Sequence, residues 1–170
     1  IKIGFFTSGN ELRKPTKNLK NSEINNSNYY SLNNLLDKNF IEKKYCGNLK
    51  DNFKSIKNKI FNTSKKFNVI ITAGGASVGD EDHLIKVLSE IGKVYFWRAA
   101  IKPGRPIAVG KINKCYIICL PGNPVSVQLL YAMLVKPLIE KLSGGNFKLP
   151  SSSKITANFT MKKKTKRMEW

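Results

Sequence analysis

A chain of 170 residues with 41% hydrophobic side chains has enough apolar material for one well-packed domain, and no stretch approaches the ~18 uninterrupted apolar residues of a membrane span. Lysine and arginine total 30 against 11 aspartates and glutamates, a formal charge of +19 that favours anionic partners. The cations are interleaved with asparagines, as in Lys17-Asn18-Leu19-Lys20-Asn21, which reads as solvated surface and gives no ground for a specific nucleic-acid binder.

Ile1 to Thr7 predicts a first strand, which starts without an initiator methionine or a signal-peptide pattern and reads as cut from something longer. Ser8-Gly9-Asn10-Glu11-Leu12 is the loop leaving it, and residues 13 to 26 are polar and turn-like, an exposed excursion. Tyr30, Leu32, Leu35, Leu36 and Phe40 suggest a helix from Ser27, and residues 41 to 46 a strand. Asp51 to Phe61 puts Phe53, Ile56, Ile60 and Phe61 on one side of a second helix. The apolar run of residues 67 to 73 predicts a buried strand, followed by a glycine-rich loop and a helix from about Asp82. Val94 to Trp97 forms another apolar run. Ile107 to Val109 and Tyr116 to Leu120 look like strands, with a hairpin turn at Ile112-Asn113. Residues 124 to 142 predict a long apolar helix, capped by Asn123 and kinked at Pro137, where the amide that would bond Met133 is missing.

Strands alternating with helices imply an α/β fold, a mostly parallel sheet covered on both faces as a three-layer α/β/α domain over residues 1–147. From Lys148 the character changes. Seven basic residues oppose one acid over residues 148–170, and Ile155 to Phe159 alternates like a solvent-facing strand, the expected start of a truncated C-terminal β domain. Cys46, Cys115 and Cys119 form no CxxC pair, and their apolar neighbours suggest reduced, buried thiols in a cytoplasmic protein. His83 stands alone and reads as a surface residue at a helix start.

Three loops fall at the carboxyl ends of predicted strands: 8–12, 74–82 and 121–124. In an open α/β sheet such ends share one crevice. Gly74, Gly75 and Gly79 serve equally as a structural turn or an anion cradle, since the stretch matches neither a Walker loop nor the dinucleotide spacing. Arg98, Lys102 and Arg105, around Pro103-Gly104, suit either a phosphate-rich ligand or solvent. Glu11, Asp51 and Asp82 each follow a strand-end loop or open a helix, and together offer oxygen ligands for a hard cation.

Taken together, these segments resemble the molybdopterin molybdotransferases, the MoeA family, and the equivalent domain of gephyrin. Ser8-Gly9-Asn10-Glu11-Leu12 is similar to the family's Thr-Gly-Asp-Glu-Leu segment, and Ile24 through Asn28 to its Ile-x-Asp-Ser/Thr-Asn. Gly74 through Asp82 resembles its signature loop. Ile101 to Pro106 and Leu120 to Ser126 resemble its two proline-rich loops. Asn10 and Asn26 stand where the family has aspartates, and Arg98 and Arg105 where lysine is common.

The resemblance implies a molybdopterin-binding fold like that of MogA, and insertion of molybdate into adenylylated molybdopterin with release of AMP. It implies catalytic roles for Glu11, Asp51, Asp82, Arg98, Lys102 and Arg105, with Mg2+ on the three acids. Ser8, Gly9, Gly74, Gly75, Ser77, Gly79, Pro121, Gly122, Asn123, Pro124 and Ser126 would then contact the pterin substrate. It further implies a homodimer when full-length, a molybdopterin adenylyltransferase as a possible partner, and little activity from this fragment alone. The alternatives are an adenylyltransferase using the same pocket, or a gephyrin-like scaffold without catalysis.

Overall fold

A computed structural model describes residues 1–16, 18–74, 80–146, 153–160, 162 and 166–169, with backbone alone at 80–82. The first strand β1 (Lys2–Ser8) leads to a two-strand parallel ribbon of β2 (Leu12–Arg13) and β3 (Ile24–Asn25). Helix α1 (Ser27–Leu35), β4 (Glu42–Leu49), α2 (Phe53–Ser64), β5 (Val69–Gly74) and α3 (Asp80–Ile91) follow. Next come β6 (Lys93–Trp97), β7 (Ile101–Lys102), β8 (Ala108–Ile112) and β9 (Cys115–Leu120). A continuous helical rod then runs as α4 (Pro124–Leu130), a π segment (Tyr131–Val135) and α5 (Lys136–Leu142). Last, β10 (Met168–Glu169) pairs in parallel with β7.

The main sheet has six strands in the order β4-β1-β5-β9-β8-β6. The first four run parallel, whereas β8 is antiparallel to both β9 and β6. Alternate side chains of each central strand serve different cores. Val69, Ile71 and Ala73 of β5 join Leu32 and Leu36 of the α1 segment and Val127, Leu130, Val135 and Ile139 of the last rod. Ile70, on the other face, joins Ile56 and Ile60 of α2 and Leu84, Val87 and Leu88 of α3. Full burial of each such aliphatic side chain contributes about 1.5–3 kcal/mol, so both helical layers are held mainly by area removed from water. The architecture is the expected three-layer α/β/α domain with a mostly parallel sheet.

Local departures from the sequence reading have physical causes. The excursion at 13–26 contains β3 and ends on a buried asparagine. Helix α1 stops at Leu35 rather than reaching Phe40, which is left half exposed. The β8–β9 hairpin turns at Asn113-Lys114, where Asn113 accepts a positive φ of 53°. Before Pro137 the rod widens into the π segment, which absorbs the missing amide without a break. Residues 155–159 form no strand. Ile155 and Phe159 are 91% and 71% exposed, so neither has a surface to pack against.

Strand β6 is one edge of the main sheet, and its Tyr95, Phe96 and Trp97 are all substantially exposed. Cations sit over the rings on and beside it: Lys93 over Tyr95 at 5.7 Å, Arg98 over Trp97 at 4.2 Å, and Lys111 over Tyr116 at 4.6 Å. Among the described residues no helix is long and apolar enough to cross a membrane.

Candidate active site

The carboxyl ends of β1, β5 and β9 meet at Gly74. Its φ is +92°, and a Cβ there would lie 2.2 Å from the Ser8 carbonyl oxygen. Its amide donates to the Pro121 carbonyl at 3.3 Å. Glycine is therefore required at this junction both by conformation and by the closeness of the two neighbouring chains. Around it opens a cleft of about 520 Å³, lined among others by Ser8, Glu11, Asn28, Pro106, Pro121 to Pro124 and Ser126. The three strand-end loops named from sequence thus share one end of the sheet, as far as they are described. Gly75, Ser77 and Gly79 lie outside the described residues.

Asparagines hold this end together. Asn28, only 5% exposed, donates from Nδ2 to the Gly122 carbonyl at 2.7 Å and so ties α1 to the loop after β9. Asn48 donates to the Gly9 carbonyl at 2.7 Å, fixing the loop after β1 to β4. Asn123 accepts from the amides of Val125 and Ser126 at 2.9 and 3.4 Å, capping α4. Those two amides are consequently committed to the cap rather than free for an anion. Asn26 accepts from the Tyr29 amide at 3.1 Å and donates to Thr7 Oγ1 at 3.0 Å. Both ends of its amide are used, so Asn26 caps α1 and anchors β1 at once. Asn10 lies in the exposed turn that Arg13 braces, accepting from its Nη1 through the backbone carbonyl at 2.8 Å.

The six proposed catalytic side chains are placed differently. Glu11 lines the cleft, its carboxylate folded against Gly9 so closely that a Cβ there would sit 2.6 Å from both oxygens. Asp51 lies between β4 and α2, with its Oδ1 3.3 Å from His83 Nε2. Asp82 belongs to the first turn of α3, and its side chain is outside the description. Among the described residues no three acids, histidines or cysteines come together as a metal site, and Asp51 is already engaged. The described groups do not by themselves fit Mg2+.

Arg98, Lys102 and Arg105 share the exposed connection between β6 and β8, and none lines the cleft; only Pro106 of that connection does. Arg98 has a positive φ of 67° and stacks on Trp97. Lys102 Nζ lies 3.3 Å from Glu169 Oε1 on β10. Gly104 packs on Leu130 of α4, holding the connection down. Among the cleft's described lining side chains Glu11 is the one formal charge, so an anionic ligand must draw its cations from the surrounding loops. No cysteine is among the cleft's described lining residues, and burial pushes the Cys115 and Cys119 thiols up to about 12.

Sequence reasoning placed Asn28 in a motif without foreseeing its bond to Gly122, and missed the Asn48–Gly9 bond and the Asp51–His83 contact. The first two carried a faint signal as asparagines beside strand ends and a helix start. The third joins residues 32 positions apart and left no local pattern.

Residues 4–141 match the family model described as "Probable molybdopterin binding domain". A molybdopterin molybdenumtransferase of Haemophilus influenzae is 36% identical over 171 residues, covering 100% of this chain and 42% of the relative. The chain therefore spans less than half the length of that relative. The crystal structure of the molybdopterin biosynthesis MoeA protein of Pyrococcus horikoshii superposes with a TM-score of 0.74 at 29% identity, over 84% of this chain and 35% of the other. The molybdopterin biosynthesis enzyme MoaB of Thermus thermophilus shares the fold, with a TM-score of 0.57 at 15% identity over 86% of this chain and 99% of the other.

Proposed function

The chain belongs to the family of probable molybdopterin binding domains, and on that premise we propose that it acts in molybdenum cofactor biosynthesis by inserting molybdate into adenylylated molybdopterin with release of AMP. The observation that carries this reading is the cleft around Gly74, where the ends of β1, β5 and β9 and the start of α1 enclose about 520 Å³. That volume lies within the range of small-molecule sites, roughly 300–1,000 Å³. The proposed setting is a cytoplasmic homodimer of the full-length protein, supplied by a molybdopterin adenylyltransferase.

Molybdate and a pterin pyrophosphate are both anions, so the protein must bring like charges together. Arg98, Lys102 and Arg105 raise the local potential beside Pro106 and draw both anions to the cleft. Prolines 106, 121 and 124 stiffen the walls, which lowers the ordering cost of binding. Gly74 brings backbone close to the ligand, and the sequence motif assigns Gly75, Ser77 and Gly79, which lie outside the described residues, to phosphate or pterin binding. Glu11 accepts hydrogen bonds from ligand hydroxyls or from water beside the phosphoanhydride. The Asn28–Gly122 and Asn48–Gly9 bonds keep two walls in register.

The test supplies adenylylated molybdopterin and molybdate to the full-length protein and follows AMP together with active cofactor. The expected result is AMP release matched by cofactor formation and dependent on molybdate. Adenylylation of molybdopterin from ATP would make the protein an adenylyltransferase instead, and absence of both reactions would favour a scaffold.

A further inference from the structure

Lys93 of β6 stands opposite Lys111 of β8, and Lys111 opposite Tyr116 of β9, so two lysines and a tyrosine form one row across the outer sheet. Paired residues share a face, and neighbouring strands lie only about 4.8 Å apart. Like charges placed directly opposite one another destabilise a sheet. The tyrosines offset part of that cost: Lys93 lies over Tyr95, Lys111 over Tyr116, and the two rings are 6.3 Å apart. Neither lysine forms an ion pair among the described residues. A negative charge brought beside the row would relieve the repulsion.

The backbone next to the row is open as well. Strand β6 is the last of its sheet and pairs with β8 alone among the described residues. Its Tyr95, Phe96 and Trp97 are 48%, 39% and 39% exposed. A nucleic-acid strand could meet the lysines and the rings, but it has no amide ladder to pair with a strand edge. A second copy of the chain would set lysine against lysine. An extended peptide with alternate carboxylates answers both features, because every second side chain of a strand projects to one face.

We infer that the outer edge of β6 is a docking site for an acidic, extended segment of a partner protein, which adds to the sheet as a further strand. A carboxylate of that segment lies opposite Lys93, with Lys111 reinforcing the field from the next strand. Apolar residues between the carboxylates cover the exposed rings. The inference does not depend on the proposed reaction.

The experiment titrates the full-length protein with a short fluorescent peptide of alternating glutamate and valine, read by anisotropy. The controls replace every glutamate by lysine, or every valine by proline, and an oligothymidylate is titrated alongside. The Glu-Val peptide should bind saturably and protect the amides of residues 93–97 from hydrogen exchange. The lysine and proline versions, lacking the charge or the ladder, should bind at least about tenfold more weakly. Lys93→Glu should weaken the Glu-Val peptide about tenfold and Lys111→Glu about threefold, both by less at high salt. Urea unfolding should show both variants folded, since each sets an acid opposite the remaining lysine. No saturable binding by the unmodified protein, equal binding of the proline peptide, unchanged binding by Lys93→Glu, or tighter binding of the oligothymidylate would overturn the assignment.

Discussion

Replacing Gly74 by alanine should damage stability and ligand binding together, and the size of the effect can be worked from two separable terms. The first is conformational: a φ of +92° is a region that side chains rarely adopt, and holding a non-glycine residue there costs about 1–3 kcal/mol. The second is steric. The new methyl would lie 2.2 Å from the Ser8 carbonyl oxygen, whereas ordinary contact begins near 3.4 Å, and the obstacle is backbone rather than a movable side chain. Strands β1 and β5 pair in register up to Ser8 and Gly74, so the ends must splay apart. Gly47 supplies the control, with a φ of +104° and nothing within 4 Å of its added Cβ. Gly47→Ala should show the first term alone. Gly74→Ala should lose at least about 2 kcal/mol more, by analogy with overpacked cores. At roughly 2–4 °C per kcal/mol for a domain of this size, the two variants should melt about 4 °C or more apart. Urea unfolding followed by circular dichroism measures the difference, and AMP titration should show weaker binding only in the Gly74 variant. Equal stabilities for the two variants would refute the claim that the strand ends are in forced contact.

Glu11→Gln in the full-length protein should leave melting nearly unchanged and reduce AMP release at least tenfold, read by single-turnover kinetics with adenylylated molybdopterin. Asn26→Ala should cost about 1–2 kcal/mol through loss of the α1 cap and the Thr7 bond, whereas Asn26→Asp keeps the cap and should stay within about 1 kcal/mol, both read by urea midpoints. Cys115 and Cys119 rise from an ordinary 9.0 to about 12 on burial, and Tyr131 from 10.0 to about 12 through burial and the nearby Glu140. Their protonated forms are therefore favoured by folding, the unfolded chain releases protons first, and stability should fall between about pH 9 and 12, as pH-dependent urea unfolding will show. At pH 8 an aromatic disulfide reagent should leave both thiols unmodified until the chain unfolds.

The fold was legible where burial repeats along the chain. The run Val69 to Ala73 is apolar on both faces because helices cover both sides, and that continuous pattern identifies a central parallel strand. The β2–β3 ribbon was not legible, since two-residue strands are too short to carry a period. Residues 155–159 show the opposite failure, an alternation without a surface to give it meaning. At the site, the meeting of three loops followed from strand order and connection alone. What escaped were side-chain contacts between distant positions, such as Asn28 to Gly122, 94 residues apart, and Asp51 to His83. The basic connection was legible as a cluster in sequence, but not its separation from the cleft's lining, which depends on how Gly104 seats against Leu130.

The cation-capped edge of the sheet bears on how the molecule behaves in a crowded solution. Strand β6 presents an open hydrogen-bonding edge next to three exposed aromatic rings, a surface on which another strand could assemble. Lys93, Arg98 and Lys111 lie across these rings and those beside them, so two such edges approaching one another meet charge before they meet backbone. These three cations then act as a colloidal barrier between copies of the chain. At 1 M salt the screening length shrinks to about 3 Å. The aromatic edge loses its guard there, and light scattering should register growing particles well before the fold itself gives way.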